Sequence, residues 1–389
     1  MIKRAIQTTV EKYLKSFPAI VLLGPRQVGK TTLAKILAKN IKKEIDYVDL
    51  EKISSFNIIN SDPENYLMEH LNSCVIIDEV QRLPILFPLL RSMIDEKRKP
   101  ARFIITGSAS PELLKGASES LAGRVVYVNL NPIGLHELPK NISLKKHWLR
   151  GGFPNALTAK NNELWQAWIE SFITTYIEKD LPFLFDVRFS PTVMRKLWSM
   201  LATWQGSILN AEQLGASLDI TGTTLKRYLD FLEGAFIITK LPPFYINLGK
   251  RLVKSPKVYI NDTGILHQLL HISNEADLQH HPMLGMSWEG YVITQINYAK
   301  SNRMDSYFYR TQAGAECDLV LAKGHVVAAC IEIKFSKSPT LSKGFFQSIT
   351  DLKPKKKFVI AQIEKSYTTK DGVIMTSLSD FLSNYLSKL

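Results

Sequence analysis

Gly24, Gly29, Lys30 and Thr31 stand at the spacing G-x-x-x-x-G-K-[ST], within the run Gly24-Pro25-Arg26-Gln27-Val28-Gly29-Lys30-Thr31-Thr32. The chemistry that needs this spacing is the grip of a phosphate chain. Glycines let the backbone curl until its amides face one point. The helix that must follow adds partial positive charge at its first turn. Lys30 then reaches the β- and γ-phosphates of ATP, and the Thr31 hydroxyl ligates Mg2+. An acid pair, Asp78-Glu79, follows the apolar run Val75-Ile76-Ile77. Asp78 is placed to hold the metal through water, and Glu79 to polarise the attacking water as a general base. A third apolar run, 103–106, ends in Gly107-Ser108. Ser108 either senses the γ-phosphate and positions water or is a plain turn residue. Arg124, in Leu121-Ala122-Gly123-Arg124, is either an arginine finger, in cis or across a subunit boundary, or a surface arginine.

These residues need a parallel sheet to carry them. Apolar runs at 19–23, 74–77, 102–106 and 125–130 predict buried strands, and the Lys-, Leu- and Ala-rich segment 31–40 predicts a helix between two of them. Ligand residues then fall at the carboxyl ends of the strands, where open parallel sheets bind their ligands. The breaker cluster Arg150-Gly-Gly-Phe-Pro154 marks a boundary. Beyond it the pattern turns helical. Two helices, 210–219 and 224–234, flank a Thr-Gly turn, and a strand at 235–241 follows, the order of a winged helix. Strands at 258–260, 306–309, 317–321, 326–334 and 357–363, with helices at 287–300 and 343–352, form a third, mixed α/β region. The division is 1–150, 151–245 and 246–389.

The 389-residue chain is too long for one core and has the composition of a soluble globular protein. A formal charge of +13 favours an anionic partner, DNA or RNA or an acidic surface, though many basic proteins bind only a nucleotide. Cys74, Cys317 and Cys330 form no CxxC pair and read as buried thiols in a reducing compartment. No apolar stretch is long enough for a signal core or membrane span, so a cytoplasmic protein with no membrane partner is expected.

The phosphate-site run, Asp78-Glu79-Val80-Gln81, Thr106-Gly107-Ser108 and Leu121-Ala122-Gly123-Arg124 together resemble a prokaryotic AAA-type ATPase family whose members carry a characteristic C-terminal domain. The likeness continues through Gly151-Gly152-Phe153-Pro154, Tyr176-Ile177-Glu178-Lys179-Asp180 and Val258-Tyr259-Ile260-Asn261-Asp262-Thr263-Gly264, nearly the whole chain. The resemblance implies an AAA-like P-loop core, a winged helix, and a restriction-endonuclease-like fold at the end. Members of such families often form rings, so an oligomer is a further expectation.

The last region has chemistry of its own. In Glu332-Ile333-Lys334 the strand period puts Glu332 and Lys334 on one face, and Glu316 and Asp318 share a face of the preceding strand. Converging carboxylates hold magnesium, and a lysine beside them orients or deprotonates water. The spacing resembles the restriction-nuclease pattern, with Asp318, Glu332 and Lys334 as metal and water residues and Glu289 assisting. The alternative is a row of solvated strand charges, or a fold used for docking. Thr224, Lys226, Arg227 and Tyr228 open the recognition helix, which either meets DNA or packs between domains. Lys250, Arg251, Lys254 and Lys257, with Lys353 and 355–357, read as positive field on solvated faces. His267 and His271 have metal-pair spacing but no acid between them and no third ligand. Trp165 and Trp168 read as core. Two functions follow: an ATPase whose nucleotide state drives a DNA- or RNA-associated, nuclease-like C-terminal module, or a non-catalytic nucleotide-gated regulator that recruits a protein partner.

Overall fold

The computed structural model describes residues 2–108, 121–181, 190–245 and 253–389, with no side chain described at 177–180. Its residues cluster in two compact units. The first comprises Met1–Ile133, Lys179–Arg188 and Asp230–Ile237; the second comprises Gly134–Glu178, Phe189–Leu229 and Ile238–Leu389.

The first unit is built on five parallel strands, β1 (Ala19–Leu23), β2 (Ile45–Asp49), β3 (Cys74–Asp78), β4 (Phe103–Gly107) and β5 (Val125–Asn129), in the order β2-β3-β4-β1-β5. The three central strands are buried at every residue, as their unbroken apolar runs require. Edge strand β2 alternates charged and apolar residues and is buried only at Val48, which hides it from a search for apolar runs. Val21, Leu23, Val75, Ile77, Phe103 and Ile105 make the centre of one core cluster. The helix Leu86–Glu96 packs into it by an i, i+1, i+4, i+7 stripe of Leu86, Phe87, Leu90 and Met93.

The second unit begins with helices, among them Asn162–Phe172, Pro191–Thr203 and Ala211–Ala216, the last capped by the Asn210 side chain on the Gln213 amide. The helix Gly222–Gly234, which belongs to the second unit up to Leu229 and to the first from Asp230, follows a tight turn, and β6 (Ile238–Leu241) pairs antiparallel with β7 (Lys257–Ile260). The strand expected at 235–241 starts three residues late because Phe236 takes a left-handed conformation, φ 63°, which ends the helix instead. The mixed sheet has six strands: β8 (Asp305–Arg310), β9 (Glu316–Lys323), β10 (Val326–Ile333), β11 (Lys356–Ile360), β12 (Tyr367–Thr368) and β13 (Ile374–Thr376). They lie in the order β12-β13-β11-β10-β9-β8. Among the described residues no helix is long and apolar enough to cross a membrane. The three cysteines are buried and unpaired.

Candidate functional site

The phosphate-binding run leaves β1 at Leu23 and enters the helix Lys30–Ala38. Gly24 has φ +153°, and a Cβ there would sit 2.1 Å from the Leu130 carbonyl oxygen, so only glycine fits. Gln27 and Gly29 have φ 65° and 95°, the left-handed turns that aim successive amides at an anion. Arg4 donates to the Val28 carbonyl at 2.9 Å and to the Asn131 carbonyl at 2.6 Å, holding the loop from behind. Arg26 is ion-paired with Glu51.

Lys30 is 4% exposed, and burial pulls its ammonium below the ordinary lysine range, with Glu79 and Asp78 opposing the shift. Its Nζ donates to the Gly24 and Pro25 carbonyls at 2.9 Å each and to Ser108 Oγ at 3.2 Å, with Glu79 Oε1 at 3.9 Å. The lysine is thus bent over its own loop, making the bonds that phosphate oxygens would replace. Thr31 Oγ1 donates to Asp78 Oδ2 at 2.8 Å. These are hard oxygen donors side by side, a set that suits Mg2+.

Three hydroxyls converge on Asp78. Besides Thr31, Tyr47 donates to Oδ2 at 2.8 Å, and Thr106 donates to Oδ1. Tyr47 comes from β2, with Lys35 Nζ 4.1 Å above its ring. Burial, then the bond to Asp78, raises the Tyr47 phenol well above its ordinary value, so it stays a donor. Sequence reasoning passed over Tyr47 and Thr106 as site residues. Thr106 carried one signal, its place next to the carboxyl end of β4, whereas Tyr47 in the middle of β2 carried none.

Glu79 adopts a left-handed backbone, φ 57° and ψ 51°, and its amide donates to Thr106 Oγ1 at 3.0 Å. Its Oε2 accepts from Ser108 Oγ at 2.7 Å and from Gln81 Nε2. Ser108 therefore bridges the lysine and the glutamate. Arg124 does not join them. It stands just before β5, and Val125 pairs with Ala19, the first residue of β1, so parallel pairing puts Arg124 at the end of the sheet away from Leu23 and the phosphate loop. At about 3.3 Å per residue the length of β1 separates the two. Arg124 instead forms a bidentate pair with Asp95, 2.7 Å to each oxygen. This pair within the chain fits the surface-arginine reading and lies away from the chain's own phosphate loop, and a finger across a subunit boundary stays a proposal.

In the second unit the structure brings the C-terminal acids near one another but not as ligands. Glu289 lies on the helix Leu284–Ala299, Glu316 and Asp318 on β9, and Glu332 on β10. Lys257 Nζ sits 3.3 Å from Glu289 Oε1 and 3.5 Å from Glu316 Oε1. Tyr259 donates to Glu289 Oε1 at 2.6 Å. Asp318 Oδ2 accepts the Ile333 amide at 2.8 Å, and Glu332 pairs with Lys334 at 2.7 Å. Burial first, then Glu289 and Glu332, raises Asp318 well above the carboxylate range. Burial also raises Glu332 against the pull of Lys334. Among the described residues no three His, Cys, Asp or Glu side chains gather to hold a metal. The residues expected to serve a nuclease-like site, Asp318, Glu332 and Lys334 with Glu289 assisting, are here engaged with one another or with donors of the protein. Lys257, expected on a solvated face, is 4% exposed. Lys226 and Arg227 are exposed on their helix, whereas Tyr228 is turned inward. Lys250 and Arg251 lie outside the described residues, as do the side chains of Glu178 and Lys179.

Two of the sequence features shared with the resembled family meet at Asp262. This carboxylate is 5% exposed and accepts the Gly152 amide at 2.7 Å and the Ile265 amide at 3.1 Å. A Cβ on Gly151 would fall 2.1 Å from Asp262 Oδ1, and one on Gly264 would fall 2.2 Å from the Arg150 carbonyl oxygen. Both glycines and the aspartate therefore specify one joint. Burial pushes Asp262 up to about 6, with the backbone donors pulling against it. One turn on, His267 is completely buried and pulled down to about 4. Its Nδ1 bonds the Leu149 carbonyl at 2.8 Å, which makes Nδ1 the donor, and Nε2 accepts from Ser287 at 2.7 Å.

Residues 16–138 match the family model of an AAA domain. Residues 141–276 and 284–381 match two domains of unknown function, DUF8612 and DUF4143. Among solved structures, the chain is similar to a Walker-type ATPase of Pyrococcus abyssi at 15% identity and TM-score 0.49, over 69% of this chain and 96% of that one. It is also similar to the Thermotoga maritima RuvB T158V variant at 17% identity and TM-score 0.30, over 62% and 90%. Likenesses this distant say nothing further about the chain. Two curated relatives are nearer: uncharacterized proteins Rv2008c of Mycobacterium tuberculosis and Mb2031c of Mycobacterium bovis. Each is 37% identical over 382 residues, 98% of this chain and 85% of the relative. At that identity and coverage the chain belongs to one protein family with these mycobacterial proteins, and it carries the family's AAA-type P-loop domain at residues 16–138.

Proposed function

We propose that the chain hydrolyses ATP with Mg2+, and that its nucleotide state drives a DNA- or RNA-associated module formed by residues 151–245 and 246–389. One observation carries the reading. Lys30, Thr31, Asp78, Glu79 and Ser108, joined through Thr106, form a single hydrogen-bonded network at the carboxyl ends of β1, β3 and β4. Incoming β- and γ-phosphate oxygens take the Lys30 donors from the Gly24 and Pro25 carbonyls. Thr31 and, through water, Asp78 would hold Mg2+, which supplies neutralising charge for the phosphate oxygens. Glu79 accepts a proton from the water whose oxygen attacks the γ-phosphorus as the bond to the β-phosphate oxygen breaks. Ser108 holds the lysine and the glutamate in register. Lys226 and Arg227 on an exposed helix face, with the charge of +13, support an anionic polymer as partner.

A second reading, a nucleotide-gated regulator without turnover, is favoured by one feature. Glu79 Oε2 already accepts from both Ser108 and Gln81, so the base is occupied at rest. A cytoplasmic location and an assembly in which Arg124 serves a neighbouring copy complete the proposal. The test is ATP turnover by the full chain, alone and with single- and double-stranded DNA and RNA. Stimulation by a nucleic acid supports the first reading. Tight ATP binding with no turnover under any condition supports the second.

A further inference from the structure

Lys257, read from the sequence as part of a solvated face, reaches the C-terminal carboxylates from β7. It opens β7, its backbone pairs with Leu241 of β6, and it bridges Ile208 on the other side. Its Nζ lies 5.6 Å from the centre of the Phe308 ring. The backbone is thus paired on both edges, and the side chain is buried, Lys257 being 4% exposed. The ammonium lies within 3.5 Å of Glu289 and Glu316, and Tyr259 saturates the Glu289 oxygen that it touches.

We propose that the Lys257 ammonium is the resident cation of the cluster formed by Glu289, Glu316, Asp318 and Glu332, so that this unit takes up no divalent ion there. Charge balance supports the assignment. Four carboxylates face three cations: Lys257, Lys334 and Arg310, the last 3.5 Å from Glu316. Asp318 is engaged otherwise, its Oδ2 accepting the Ile333 amide at 2.8 Å. Burial lowers Lys257, but Glu289, Asp318 and Glu316 together outweigh it and hold the ammonium charged. A divalent ion at this point would have to share the buried position between Glu289 and Glu316 with the Lys257 ammonium, like charges brought together out of water, which is costly. The adjoining cavity of about 680 Å³, bounded by Lys257, Glu289, Arg310 and Glu316, therefore presents paired charges rather than a bare acidic face.

The test uses the full chain without nucleotide, in an Asp78→Asn background that removes the phosphate-site aspartate, and reads Mn2+ binding by electron paramagnetic resonance. Neither the proposal nor this readout depends on ATP turnover. The expected result is that the Asp78→Asn protein binds no more Mn2+ than the same protein carrying Asp318→Asn. Adding Lys257→Met, which keeps the stem and removes the charge, creates one Mn2+ site per chain, and Glu289→Gln abolishes it. Mn2+ bound with Lys257 in place and lost on Asp318→Asn would overturn the proposal. So would a folded Lys257→Met protein, checked by circular dichroism, that gains no site. Should Lys257→Met not fold, the Asp318→Asn comparison decides alone.

Discussion

His267 and Asp262 sit in one short helix and its cap, both buried, and are pushed in opposite directions by the same loss of water. The aspartate, raised from 3.8 to about 6, keeps a proton in the folded chain that the unfolded chain releases. Its contribution to stability therefore grows as pH falls through 6. The histidine, lowered from 6.5 to about 4, stays neutral in the fold while the unfolded chain takes up a proton. Its contribution is lost as pH falls below 6.5. Between pH 7 and pH 5 these shifts correspond to a gain of about 1 kcal/mol at Asp262 and a loss of about 2 kcal/mol at His267. The parent thus hides two opposing slopes. Asp262→Asn should lose about 1 kcal/mol more than the parent over that interval, and His267→Gln about 2 kcal/mol less. For a unit of this size these are about 2–4 °C more and about 4–8 °C less fall in melting temperature. The assay is thermal unfolding by circular dichroism at both pH values, each variant compared with itself. If both variants change the pH dependence in the same direction, or neither changes it, burial does not set these protonation states.

Lys30→Ala should abolish hydrolysis and most ATP affinity, read by calorimetry beside a turnover assay; unchanged heat of binding would refute the phosphate role. Glu79→Gln should bind ATP as the parent does and turn over about 10²–10⁴-fold more slowly; equal turnover would mean that another group activates water. Tyr47→Phe should raise the Mg2+ concentration needed for half-maximal turnover by a factor of about 10 or more, the worth of one hydrogen bond to a charged partner. Its turnover at saturating Mg2+ should hardly change, and an unmoved Mg2+ dependence would reduce Tyr47 to packing.

The chemistry at residues 24–32 and 78–79 was legible because every participant lies in a short run at the end of an apolar strand. Local spacing carries the information there. Tyr47 was not legible, since β2 is an edge strand whose charged residues hide its period, and nothing near it in sequence points to Asp78. Lys257 was misread for the same reason at longer range. Among lysines of a basic run it looks solvated, and only folding brings acids from positions 289 and 316 around it. Arg124 fails differently. Its short run was recognisable, but which end of the sheet it occupies depends on the direction of β5. The glycines at 151 and 264 could be noticed but not explained, because the atoms that exclude a Cβ there belong to residues about a hundred positions away.

Glu79 holds a left-handed backbone that a side chain with a Cβ adopts at a cost of roughly 1 kcal/mol. Glycine or asparagine would occupy the same turn with less strain. A directed-evolution campaign that rewards heat resistance alone would drift toward those residues at this position and end with a hardier protein that lacks the proposed general base.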